Sequence, residues 1–85
     1  MADPLPFRAR ADAAPAFVAF LRKGEATRLY RIDPIGPSQW RCEIWFGAAI
    51  HRTAVTWGAT MFRLRRDEFQ REVTAAIADG WLLVE

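Results

Sequence analysis

Trp40-Arg41-Cys42-Glu43-Ile44-Trp45-Phe46 carries the cleanest period in the chain. Trp40, Cys42, Ile44 and Phe46 occupy one set of alternate positions, and Arg41, Glu43 and Trp45 the other. A strand with one face on a core and one face turned away produces this pattern. Upstream, Thr27-Arg28-Leu29-Tyr30-Arg31-Ile32 has the β-branched and aromatic content of a second strand. It runs into Asp33-Pro34-Ile35-Gly36-Pro37-Ser38, whose prolines and glycine cannot continue a ladder. Downstream, Gly47-Ala48-Ala49 turns the chain into the β-prone Ile50–Trp57, where neither face is marked as inward, and Gly58 ends or bends that run.

Two helices are expected around these strands. Over residues 66–79, Phe69, Val73, Ala76 and Ile77 form one apolar stripe. Asp67 and Glu68 would then sit in the first turn, where they favour the macrodipole, and Asp67 to Arg71 adds an i,i+4 pair. Gly80 suits a left-handed C-terminal stop, after which Trp81-Leu82-Leu83-Val84 reads as a last strand or a docked segment. Met61-Phe62-Arg63-Leu64 reads as a short edge strand or as the lead into this helix. From Asp12 to Lys23, Phe17, Phe20 and Leu21 recur at helical spacing, with Asp12 as a cap and Gly24 as a stop, so a short first helix is expected. The competing reading is a hairpin, because Phe17, Ala19 and Leu21 also alternate and Lys23-Gly24-Glu25 is a plausible turn. Residues 1–11, with Pro4 and Pro6, read as an extended or frayed arm ahead of a single domain over 12–85. The expected class is α+β: a small antiparallel sheet of three to four strands with one or two helices on one face.

Eighty-five residues hold one compact domain, and a core this small has to rely on large side chains. The supply is ample, since 52% of residues are hydrophobic and 13% aromatic, including tryptophans 40, 45, 57 and 81. The single cysteine, Cys42, has no partner for an intramolecular disulfide. No charged leader followed by an apolar run appears, and no stretch is long enough for a membrane span, so a cytoplasmic location is expected. The formal charge of +2 is unevenly spread. Residues 28–66 hold seven arginines (28, 31, 41, 52, 63, 65, 66) against Asp33 and Glu43, whereas residues 67–85 hold Arg71 against five carboxylates. Eleven Arg to one Lys, with fifteen Ala, also fits the codon bias of a GC-rich genome.

The sequence offers little chemistry. His51 is the only histidine, and Cys42, on the inward set of its strand beside Trp40 and Ile44, reads as packing rather than as a nucleophile. No paired His or Cys spacing suggests a metal, and the five glycines are scattered singly at turns and caps, so no nucleotide fingerprint forms. No catalytic residue, metal or cofactor is assigned, and the chain is expected not to be an enzyme.

Surface features remain. An outward Trp45 flanked by Arg41 has the composition of an interface anchor, with Arg31, His51 and Arg52 expected on neighbouring strands of the same face. The acidic side of the last helix, Asp67, Glu68 and Glu72, is a second candidate, suited to a basic partner. The expected function is a non-enzymatic protein-binding module, a stoichiometric inhibitor or adaptor. Its size and two-signed, aromatic-rich surface match the general profile of phage and mobile-element inhibitors of bacterial defences, including the anti-CRISPR type. A homodimer across the sheet face is one form this takes. The alternative is a nucleic-acid-binding module using Arg28, Arg31, Arg41, Arg52 and Trp45.

Overall fold

The computed structural model describes residues 14–84, and the expected arm at 1–11 lies outside them, as does Asp12. Strands β1 (Phe17–Lys23), β2 (Ala26–Gly36), β3 (Gln39–Phe46) and β4 (Ala49–Trp57) form an antiparallel meander. Helix α1 (Ala59–Ala78) then crosses back over one face and delivers β5 (Leu82–Val84) to the far side of β1. The strand order is β4-β3-β2-β1-β5. The α+β class is as expected, with five strands in place of three to four and one helix among the described residues.

The expected first helix is a strand. Phe17 to Lys23 pairs residue for residue with Ile32 to Ala26, and Gly24, at φ 62°, opens the two-residue turn that joins them. Period two prevails over period 3.6 here because Ala19 and Leu21 bury against the core, while Phe20, counted in the helical stripe, points the other way and stays exposed. Pairing with β2 on one side, and with β5 at residues 20–22 on the other, gives the main-chain groups of this short segment partners that an isolated turn or two of helix leaves unmet.

The second helix begins seven residues earlier than 66. Its buried stripe of Phe69, Val73 and Ala76 continues back to Phe62, whose ring stacks on Trp40 with centroids 4.6 Å apart. Asp67 and Glu68 therefore lie mid-helix rather than in the first turn, and the first turn carries no acid. Arg65 pairs with Glu68 at 3.0 Å in place of the expected Asp67–Arg71 pair, and Ile77 is exposed rather than part of the stripe. The C-terminus matches the expectation. Gly80, at φ 101°, donates to Ile77 O (3.1 Å) while Trp81 donates to Ala76 O (3.0 Å), a Schellman closure that swings Trp81 into the core. Lys23 Nζ donates to the last carbonyl, Asp79 O, at 2.7 Å.

The core lies between α1 and one face of the sheet. Ala19 and Leu21 from β1, Tyr30 and Ile32 from β2, and Cys42 and Ile44 from β3 meet Phe69, Val73, Ala76 and Trp81. The Phe69 ring meets Tyr30 and Phe17 edge-on at centroid distances of 5.7 and 6.0 Å, a favoured arrangement for aromatic pairs. No helix among the described residues is long and apolar enough to cross a membrane.

Candidate protein-binding face

Among the described residues one helix covers one face of the sheet, and nothing covers the other. Strand alternation sends the residues between the buried ones to the opposite face, and the register determines which of them are neighbours. Phe20 pairs with Leu29 and with Val84, Leu29 with Trp45, and Trp45 with Ile50. Ile50, Trp45, Leu29, Phe20 and Val84 therefore form one row, one residue from each of the five strands, running across the open face. At ordinary strand spacing the row is about 19 Å long. Val18, Leu82 and Val55 lie on the same face, and Leu82 is 69% and Val18 54% exposed.

Beside the apolar row lies a patch of four charges of alternating sign. Arg31 faces Glu43 across β2 and β3, and Asp33 faces Arg41 one step further along. Arg31 Nε donates to Asp33 Oδ2 at 2.8 Å, and Trp45 Nε1 donates to Glu43 Oε1 at 3.1 Å. The second bond ties the indole of the apolar row to the charged patch, so Trp45 is held in place and only partly buried by its neighbours. Arg41 is exposed and in no ion pair among the described residues.

The sequence-derived residues divide between the two sides. Trp45, Arg41 and Arg31 share the open face as expected. Arg52 does not. A β-bulge between Ile44 and Trp45 shifts the β4 register, so Arg52 stands opposite Ile44 on the helix side, where its guanidinium donates to both carboxylate oxygens of Glu72 at 3.0 Å. His51, the extra residue of that bulge, also leaves the open face and stacks on Phe46 with centroids 4.1 Å apart. The acidic group of Asp67, Glu68 and Glu72 is on α1, across the sheet from this face. Two of its members are held by Arg65 and Arg52, and Asp67 is exposed. Sequence reasoning missed Phe20, Leu29, Ile50 and Val84. The alternation of Val18 and Phe20 with Ala19 and Leu21 was the available signal, and the helical reading of that segment hid it.

Cys42 and His51 are not brought together: Cys42 faces Ala54 across the ladder, and His51 stacks elsewhere. Burial pushes the Cys42 thiol above its ordinary 9.0, against opposing contributions from the Thr56 hydroxyl 3.9 Å away and from the Arg65 charge, so it is a protonated packing group at neutral pH. The cavity beside it, lined by Cys42, Arg52, Thr53, Ala54, Arg65 and Phe69, is about 30 Å³, room for a water or two and not for a substrate. Among the described residues no three His, Cys, Asp or Glu side chains gather as metal ligands.

Of the arginines expected to meet nucleic acid, Arg28 lies between the rings of Trp81 (4.4 Å) and Phe46 (4.9 Å) on the helix side, and Arg52 is bound to Glu72. The open face itself presents Arg22, Arg31 and Arg41 against Asp33 and Glu43. No protein-family model, curated protein or solved structure matches the chain.

Proposed function

We propose that this domain is a protein-binding module, acting as a stoichiometric inhibitor or adaptor, and that the open sheet face is its contact surface. The observation that carries the reading is the five-strand apolar row from Ile50 to Val84, half-buried to exposed on the side of the sheet that, among the described residues, no helix covers. Contiguous apolar surface of this kind, bordered by polar groups, marks interaction sites on small soluble domains.

The charged patch indicates the chemistry of the partner. Arg31, Asp33, Arg41 and Glu43 alternate in sign, so an uninterrupted apolar surface would strip water from four charges and return nothing. A protein surface with an apolar ridge for the row and its own charges and hydrogen-bonding groups opposite the patch meets both halves. Nucleic acid fits less well, because the basic residues are split between two faces and those on the open face are nearly balanced by Asp33 and Glu43. The similarity of profile to anti-CRISPR inhibitors makes a CRISPR effector complex the first defined partner to try.

The test is capture of partners by the tagged protein from a bacterial lysate, with and without nuclease and over a salt series. A stoichiometric protein retained after nuclease treatment, with weak salt dependence, supports the reading. Retention that nuclease abolishes, or affinity that falls steeply with salt, supports the nucleic-acid alternative instead.

A further inference from the structure

We infer that β4 is the docking edge for a second copy of this chain, joining two sheets into one of ten strands. The argument starts from the backbone. Gly58 N donates to Ser38 O at 2.9 Å, which makes these in-register partners a hydrogen-bonded pair. Antiparallel pairing alternates, so Thr56, Ala54 and Arg52 turn their N–H and C=O groups toward β3, while Thr53, Val55 and Trp57 turn theirs outward. The β2–β3 ladder gives the same phase independently: Gly47 N donates to Thr27 O at 2.9 Å, so on β3 the odd-numbered residues bond β2 and the even-numbered ones are left for β4.

The outward groups form a self-complementary set. A two-fold axis beside Val55 brings Val55 opposite its own copy and Thr53 opposite Trp57 of the other chain, closing about six main-chain hydrogen bonds. No like charges collide in this register, because Arg52, the one charged residue of β4, then faces Gly58. Edges of monomeric sheets are usually blunted by a charge, a proline or a covering loop. Thr53-Ala54-Val55-Thr56-Trp57 has none of these among the described residues, and Trp57 and Val55 are 60% and 41% exposed.

The helix supplies a second, independent observation. Glu72 reaches Arg52, and Arg65 lines the cavity with Thr53 and Ala54, which identifies the flank of α1 that lies over β4. At 100° per residue Met61 falls on that flank, and it is large, apolar and 44% exposed. The same two-fold that pairs the strands sets these flanks side by side, so Met61 gains an apolar partner. This inference does not rest on the open-face reading: it is argued from the outward main-chain groups of β4, although the Val55 side chain also lies on that face.

Sedimentation equilibrium of the wild type, Val55→Pro and Phe20→Asp tests it, with circular dichroism of each. Proline at 55 removes an N–H that the monomer does not use, so the fold should survive. The wild type and Phe20→Asp are expected near twice the 9.7 kDa chain mass, and Val55→Pro near one chain mass. A monomeric wild type, a dimer that survives Val55→Pro, or a dimer lost in a folded Phe20→Asp overturns the proposal. Should Val55→Pro fail to fold, amide exchange of the wild type decides. Protection of the Thr53, Val55 and Trp57 amides that rises with protein concentration supports edge pairing, and protection independent of concentration rules it out.

Discussion

The two faces of the sheet are built by the same strands from alternate residues, yet they have opposite fates. On the helix side Leu21 and Ile32 are fully buried, and Tyr30 and Ile44 nearly so; on the other, Phe20 and Ile50 are 39% and 46% exposed although they are equally apolar. Hydrophobicity alone therefore does not report burial in this protein. Coverage does, and among the described residues one helix covers one side. The covered face holds the core, and the open face carries further apolar residues in partial contact with solvent.

Ile44 and Trp45, adjacent in sequence and on opposite faces, give the largest contrast. Ile44→Ala is expected to cost about 2–5 kcal/mol by leaving a cavity against α1, a large share of a small domain's stability. Urea melts would show it, and an unchanged midpoint would mean that the covered face is not the core. Gly58→Ala comes next. Gly58 sits at φ 85°, ψ 151°, a region essentially closed to other residues, between β4 and α1, so a loss of about 1–3 kcal/mol is expected in the same melts although open space surrounds the position. Phe20→Asp should cost less than Ile44→Ala, about 1–2 kcal/mol, because Phe20 is 39% exposed and loses only part of its packing beside Leu29 and Val84. A collapse of stability there would show that the open face is covered within the folded monomer.

Arg52→Ala is expected to cost at most about 1 kcal/mol, since its ion pair with Glu72 is half exposed. The smallest effect is the pH response of Cys42. Its pKa is raised by burial above the ordinary 9.0, so the folded state holds the proton more tightly than the unfolded chain. Its contribution is fully present below pH 9 and is lost as pH rises through the higher folded value. Melts of wild type and Cys42→Ala at pH 7 and pH 10 should therefore show the wild type losing more stability with alkali, and parallel losses would contradict it.

Much of the architecture was legible in the sequence. The alternation at 40–46 identified the inner strand β3 and both of its faces, and Gly80 with Trp81 marked the helix stop and the return to the core. What was not legible depended on pairing. Phe17 to Lys23 satisfies both periods, and the presence of β2 across a two-residue turn settles it as a strand. Met61 to Leu64 has no strand partner and extends the helix, so Asp67 and Glu68 lose their place at an N-terminus. The candidate face was legible only at Trp45, Arg41 and Arg31, because the β-bulge that withdraws His51 and Arg52 from it is a register event without a local signature. The apolar row is a property of register too: five residues from 20 to 84 become neighbours only once the strand order is known.

The most direct test of the open face as the binding surface is partner retention by a Trp45→Ala, Phe20→Ala double variant. It is compared with the wild type and with a helix-surface control, Arg63→Ala with Asp67→Ala, all checked by circular dichroism. The expected result is the same protein held by the wild type and the helix control and lost by the folded face variant. Retention by the face variant at the wild-type level, or loss by the helix control alone, would contradict the account and place the contact surface on the other side of the molecule.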